Sequence, residues 1–88
     1  MEMTTDQLSL YYFKTCPYCL RVLLALKKLH LKITLRNIHA DRDAHAELLA
    51  GGGRTMVPCL RIDDPNGEVT WMYESADIVH FLKDRFGS

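Results

Sequence analysis

Two cysteines three positions apart, Cys16 and Cys19, are the residues of this chain best suited to chemistry, with Pro17 and Tyr18 between them. An apolar run at residues 8–13 precedes the pair and a segment with helical spacing follows it, so the thiols lie where a strand ends and a helix begins. Cys16 then occupies the N-cap, where free N–H groups and the helix dipole stabilise a thiolate, and Pro17 suits the first helical position. Cys19 lies one turn further in and can form a disulfide with Cys16. The arrangement predicts a redox-active thiol pair.

Zinc binding and a structural disulfide are the alternative uses of such a pair. Zinc sites usually contain a second Cys or His pair at short spacing, whereas Cys59 is isolated and the four histidines are scattered. A disulfide across two intervening residues closes too small a loop to stabilise a fold much. Redox exchange is therefore favoured over both, and we expect no bound metal.

Composition limits the classes of partner. Eighty-eight residues correspond to one domain, and 11 basic against 11 acidic residues give a net charge of zero. We therefore expect neither nucleic acid nor a membrane as partner, and we expect a monomer. Residues 1–7 lack the basic and apolar regions of a signal peptide, and an odd number of cysteines fits reactive thiols in the cytoplasm. We expect a flexible N-terminal lead over residues 1–7 and a domain over 8–88.

The apolar patterns predict four strands and three helices in an α/β chain. A strand–helix–strand order predicts a right-handed crossover between two parallel strands, and a turn at residues 63–67 predicts an antiparallel hairpin after it. The second strand should bury Leu35, the second helix should bury Leu49, and the glycines at 51–53 should form a flexible loop. The predicted strands are 8–13, 31–38, 57–62 and 68–72, and the predicted helices are 17–30, 41–50 and 75–86.

The motif at residues 16–19 together with Val57-Pro58 resembles a glutaredoxin of the thioredoxin superfamily. Residues 73–79, which contain Glu74-Ser75, resemble the N-terminal domain of glutathione transferases. The chain is thus similar to glutaredoxins of the glutathione-transferase-like type. The resemblance implies a thioredoxin-like fold with a four-stranded mixed sheet in the order 2-1-3-4, flanked by three helices. It also implies a cis bond between Val57 and Pro58.

The resemblance also implies a set of residues that bind glutathione. The Val57 backbone would pair with the cysteinyl unit, Glu74 would face the γ-glutamyl ammonium, and Ser75 would bind its carboxylate at a helix N-terminus. The alternatives are a plain N-cap role for Ser75 and a solvated acid at Glu74. The glutathione-binding candidates are Tyr18, Val57, Pro58, Glu74, Ser75 and Lys14.

By the same resemblance, the chain is a glutathione-dependent thiol–disulfide oxidoreductase. Cys16 would reduce protein–glutathione mixed disulfides and protein disulfides, Cys19 would resolve the intermediate, and glutathione would be the reducing co-substrate. An iron–sulfur or zinc carrier and a non-catalytic glutathione-binding module remain alternatives. Cys59 is expected to be a buried strand residue.

Two positions depart from the glutaredoxin pattern. Typical members have threonine directly before Val-Pro, whereas Met56 precedes Val57 here and the threonine is Thr55. Phe13 stands where typical members carry a basic residue, so the contact to the glycine carboxylate of glutathione is left open. The candidates for that contact are Lys14, Arg21 and Arg54.

Overall fold

A computed structural model of the chain describes residues 5–87. Residues 1–4 of the predicted lead and residue 88 of the predicted domain lie outside the described residues. Thr5–Gln7 forms a short 3₁₀ turn that leads into the first strand. The elements are β1 (Leu8–Tyr12), α1 (Pro17–Lys28), β2 (Thr34–Asn37), α2 (Arg42–Gly52), β3 (Cys59–Asp63), β4 (Val69–Met72) and α3 (Ser75–Phe86).

The four strands form one mixed sheet in the order β2-β1-β3-β4, as predicted. β1 and β2 are parallel, whereas β3 pairs antiparallel with β1 and with β4. This is the thioredoxin-like arrangement, with three helices packed on the sheet. A cis peptide bond joins Val57 to Pro58, which confirms the expectation from the resemblance.

Side chains of the central strands β1 and β3 point alternately to the two faces of the sheet, and each face carries its own apolar layer. Side chains at alternate positions of β1 and β3 face α1 and α3 and form the larger apolar cluster. Its buried members are Leu8, Leu10, Val22, Leu26, Leu60, Ile62, Ile78 and Leu82. The opposite face packs against α2 through a smaller cluster of Tyr11, Ile38, Ala44, Leu48 and Cys59.

The α2 layer is partly polar. The Tyr11 hydroxyl donates to Glu47 Oε1 at 2.9 Å, and Arg36 Nη2 lies 2.9 Å from Glu47 Oε2. Asp41 caps α2 by accepting the Asp43 amide N–H at 2.9 Å. These contacts hold α2 against the end of β2.

Several predicted boundaries and burials are wrong. β2 begins at Thr34 rather than residue 31, because Leu31 and Ile33 pack on the α1–α3 cluster before the strand starts. α1 ends at Lys28 because His30, at φ 56°, leaves the helical conformation. Leu35 and Leu49, predicted to be buried, are about half exposed.

The glycine segment after α2 also differs from its prediction. Gly51 and Gly52 belong to α2, and Gly53 terminates the helix in the left-handed conformation with φ 81°. The predicted flexible loop is therefore the last turn and cap of a helix. The boundaries of α3 match the prediction.

Candidate functional site

The sheet topology brings the predicted site segments to one end of the fold. β1 and β2 both end there because they are parallel, with Tyr12 beside Asn37. β3 starts at the same end, since Cys59 pairs with Tyr11, and β4 ends there, since Met72 pairs with Leu60. The segments that lie at this functional end are therefore 13–16, 38–41, 53–58 and 73–75.

Cys16 caps α1 with its sulfur, as predicted. The Cys19 amide N–H donates to Cys16 Sγ at 3.4 Å, and Pro17 occupies the first turn. On its other side, the Cys16 thiol lies 4.0 Å from the carbonyl oxygen of Val57 and points toward it. The thiol thus sits between a helix N-terminus and the backbone that precedes the cis proline.

An N-cap position in the sequence predicts an exposed thiol, but the structure buries most of the Cys16 side chain. It is 8% exposed, because its sulfur is turned inward to the Cys19 amide and the Val57 carbonyl. Tyr18, two positions later, is 58% exposed and stands at the surface of the helix start.

Cys19 lies on the buried face of α1 and is 0% exposed. Burial raises the pKa of its thiol to about 12, a hydrogen bond from the Phe13 backbone opposes the rise, and the neighbouring Cys16 thiol adds to it. Both cysteines are reduced here. The two thiols therefore differ in environment, with Cys16 held by donors at the helix start and Cys19 enclosed in the core.

Cys59 is fully buried in β3, as expected, and belongs to the α2 layer. Burial raises the pKa of this thiol to about 12, which a hydrogen bond with the Tyr73 hydroxyl and the charge of Arg54 both oppose. It follows the cis proline directly but faces the core.

Glu74 and Ser75 begin α3 at the functional end. Glu74 is the N-cap residue and is exposed, and its side chain makes no capping hydrogen bond. Ser75 is the first helical residue and is 9% exposed. The plain N-cap alternative for Ser75 is therefore wrong, because Glu74 occupies that position. The Glu74 carboxylate is exposed and does not cap the helix, which fits both a ligand contact and the solvated acid given as its alternative.

The three candidate cations have different surroundings. Lys14 lines a cleft of about 320 Å³ beside the loop between β1 and α1, residues 13–16. The cleft is also lined by Thr15, Asn37, His39 and Ala40. Arg21 lies on a groove of about 440 Å³ between α1 and α3, which is also lined by Leu20, Leu24 and Val79. Arg54 lies over the ring of Tyr73, with its guanidinium carbon 4.6 Å from the ring centroid.

Two residues at this end were missed by the sequence analysis. His39 stacks on Phe13 with ring centroids 4.2 Å apart and an angle of 8° between the planes. The Tyr73 hydroxyl donates to the Arg54 carbonyl at 3.1 Å. Tyr73 directly follows β4 and His39 lies two positions after β2, and both strands end at the functional end, which is the signal that could have indicated these residues.

Within residues 5–87, no three His, Cys, Asp or Glu side chains are grouped as metal ligands would be. No helix in the same range is long and apolar enough to cross a membrane.

Comparison with known proteins relates this arrangement to a family. The family model of the glutathione S-transferase N-terminal domain matches residues 15–85. No curated protein sequence matches the chain.

Solved structures with the same fold include transferases and an isomerase. An epsilon-class glutathione S-transferase from the housefly Musca domestica has 26% sequence identity and a TM-score of 0.69, over 92% of this chain and 36% of that one. A maleylacetoacetate isomerase from Anaeromyxobacter dehalogenans 2CP-1, solved with glutathione in its active site, has 25% identity and a TM-score of 0.69, over 97% of this chain and 38% of that one. A glutathione transferase Omega 2C from Trametes versicolor has 23% identity and a TM-score of 0.73, over 92% of this chain and 38% of that one, and shows the shared fold.

The chain thus spans well under half the length of these three solved proteins. The family match covers most of this chain and includes α1 with its two cysteines, the cis proline and the start of α3. The chain therefore belongs to the glutathione S-transferase N-terminal domain family, with a thioredoxin-like fold.

Proposed function

We propose that this domain is a glutathione-dependent thiol–disulfide oxidoreductase of the glutaredoxin type. The observation that carries the proposal is the position of the Cys16 sulfur, which accepts the Cys19 amide N–H and faces the Val57 carbonyl before the cis proline. A thiolate at a helix N-terminus is a good nucleophile, and the backbone beside it can pair with an extended peptide. Family membership and the glutathione bound to the isomerase neighbour support glutathione as that peptide.

In the proposed reaction, the Cys16 thiolate attacks the glutathionyl sulfur of a protein–glutathione mixed disulfide. The S–S bond breaks, the protein thiolate leaves and takes a proton, and Cys16 carries glutathione. A second glutathione thiolate then attacks the glutathionyl sulfur, which releases glutathione disulfide and regenerates the Cys16 thiolate. One free glutathione is consumed for each mixed disulfide, and the released glutathione disulfide joins it to the glutathionyl group of the substrate.

With a protein disulfide, Cys16 attacks one sulfur and the other protein thiolate leaves. Cys19 then attacks the sulfur of Cys16, which releases the second protein thiolate and forms the Cys16–Cys19 disulfide. Two glutathione molecules reduce that disulfide and leave as glutathione disulfide.

The remaining candidates have roles on the glutathione side of this scheme. The Val57 backbone pairs with the cysteinyl unit beside cis Pro58, Glu74 binds the γ-glutamyl ammonium, and Ser75 binds its carboxylate. Tyr18 covers the bound sulfur. Lys14 lies in the cleft beside residues 13–16. From there it attracts the glycine carboxylate of glutathione.

Reduction of a small glutathione mixed disulfide, coupled to glutathione reductase, tests the proposal. We expect turnover that depends on glutathione and on Cys16. Tight glutathione binding without turnover would instead assign the domain as a binding module. Iron, sulfide or zinc in stoichiometric amount in the purified protein would favour the carrier alternative.

A further inference from the structure

Tyr73 connects three segments of the chain that the sequence keeps apart. Its hydroxyl donates to the Arg54 carbonyl at 3.1 Å, across 19 positions in the sequence. The Arg54 guanidinium lies over the same ring. The hydroxyl also makes a hydrogen bond with the Cys59 thiol in β3. One side chain therefore contacts the segment before the cis proline and the strand after it.

Gly52 makes this contact sterically possible. A Cβ atom added at Gly52 would overlap the Tyr73 hydroxyl, and one added at Gly51 would overlap the Trp71 ring. The last turn of α2 thus lies directly on two side chains from the end of β4 and the residue after it. Any larger residue at Gly52 would displace the Tyr73 hydroxyl from the Arg54 carbonyl.

The segment that Tyr73 holds leads to the thiol. Residues 53–58 belong to neither helix nor strand, and this segment ends in Val57 and cis Pro58. The Val57 carbonyl lies 4.0 Å from Cys16 Sγ, so the segment forms the backbone surface beside the thiol, whereas the Cys19 amide holds the sulfur itself. Tyr73 also directly precedes Glu74, the N-cap of α3. It therefore lies between the two parts of the proposed glutathione site.

We propose that Tyr73 is a positioning residue that holds the Arg54–Val57 backbone in the conformation that binds glutathione. This inference rests on the proposed function and adds a residue to it. Tyr73 acts through Arg54 and Val57 and does not take part in the chemical step. Loss of its hydroxyl weakens glutathione binding and leaves the reactivity of Cys16 unchanged.

The test is Tyr73→Phe, which removes the hydroxyl and keeps the ring. The matched control is Tyr12→Phe, which removes a hydroxyl from a half-buried tyrosine on the α1–α3 side of the sheet. Loss of one hydrogen bond should raise the KM for glutathione about three- to tenfold in Tyr73→Phe, with kcat within about twofold of the original. Tyr12→Phe should leave KM unchanged. Gly52→Ala, which keeps Tyr73 but displaces its hydroxyl, should reproduce the rise in KM.

A second measurement separates positioning from general stability. Amide order parameters from ¹⁵N relaxation should fall for residues 54–56 in Tyr73→Phe and stay unchanged in Tyr12→Phe. An unchanged KM would overturn the proposal, whatever the order parameters do. Equal changes in both variants, or a loss confined to kcat, would overturn it as well.

Failure of the proposed function gives a different pattern. If the original chain binds glutathione without turnover, the oxidoreductase proposal fails, and the dissociation constant replaces KM as the test of Tyr73. A dissociation constant weakened by Tyr73→Phe would then uphold the positioning role, and an unchanged one would overturn it. If the original chain binds no glutathione, both proposals are wrong.

Discussion

The functional end has a thiol side, residues 13–19, and a peptide side, residues 53–58 with 73–75, and the two are held by different kinds of contact. On the thiol side the contact that caps the reacting sulfur is local, since the Cys19 amide donates to the Cys16 sulfur within one helical turn. On the peptide side they join distant segments, since Tyr73 holds Arg54 and the end of α2. The thiol side therefore provides the reacting group, and the peptide side provides the surface on which a ligand is aligned.

This difference predicts two kinds of variant. Changes to the thiol side should abolish or redirect the chemistry while leaving glutathione affinity largely intact. Changes to the peptide side should weaken affinity while leaving the chemistry intact. A variant that breaks this separation would show that the two sides act as one unit.

The largest expected effect is from Cys16→Ser. Serine is a favourable N-cap residue, so the fold and the thermal midpoint should be retained while the nucleophile is lost. We expect activity to fall by at least about a thousandfold, as when a nucleophile is removed from other enzymes. The measurement is the coupled reduction of a mixed disulfide together with a thermal unfolding curve.

Cys19→Ser is the matched control for that variant. It should retain reduction of glutathione mixed disulfides, because glutathione itself resolves the intermediate, and should lose turnover that requires the Cys16–Cys19 disulfide. The reverse result, with Cys19 essential and Cys16 dispensable, would contradict the assigned roles.

A smaller effect is expected from Glu74→Ala and Ser75→Ala on the peptide side. Each removes a contact to a charged end of glutathione, so KM for glutathione should rise about tenfold. Alkylation of Cys16 by a neutral reagent should proceed at the original rate. KM and alkylation rate are the two measurements.

Asp77→Ala is the control for the charge near the helix start. Asp77 is also an exposed acid in the first turn of α3, so its removal changes the interaction with the helix dipole in a similar way. It should leave KM unchanged. An equal rise in KM for Asp77→Ala and Glu74→Ala would show that Glu74 acts on the helix rather than on the ligand.

The smallest expected effect concerns the buried thiol behind the peptide side. The pKa of Cys59 is raised to about 12 in the fold, whereas a free thiol titrates near about 8.5. As the pH rises, the Cys59 thiol therefore loses its proton in the unfolded chain before it does so in the folded chain. Its contribution to the free energy of unfolding decreases between about pH 9 and pH 12. Between pH 8 and pH 10.5, the free energy of unfolding should fall less in Cys59→Ala than in the original chain. At neutral pH the substitution itself should lower the free energy of unfolding by about 1 kcal/mol.

Urea unfolding at the two pH values measures this effect. Ile62→Val, a core substitution without a thiol, should keep the pH dependence of the original chain. The same pH dependence in Cys59→Ala and in the original chain would contradict the role given to Cys59. Cys19 has a pKa raised in the same direction, so part of the alkaline loss should remain in Cys59→Ala.

The thiol side could be predicted from sequence because local rules determine it. Proline at the first helical position and an acceptor at the N-cap specify where α1 begins. The boundaries of α3 also followed from the apolar pattern, whereas the strand order was implied by the family resemblance. The inward turn of the Cys16 sulfur was not predictable, because it depends on the Val57 carbonyl 41 positions away.

The peptide side could be predicted only in part. The resemblance indicated the cis proline, but nothing local indicated that Gly52 makes room for the Tyr73 hydroxyl. Three glycines in a row favour a flexible loop, whereas in the structure two of them lie inside α2, where Gly51 packs on Trp71 and Gly52 on Tyr73. The roles of such residues depend on contacts between segments that are distant in the sequence, and the residue pattern within one segment does not reveal those contacts.

The most direct measurement of the central claim is the intact mass of Cys19→Ser after exposure to glutathione disulfide. We expect one glutathionyl group per chain, located on Cys16 by peptide mapping and removed by added glutathione. The absence of an adduct on Cys16, or an adduct located on Cys59, would contradict the claim.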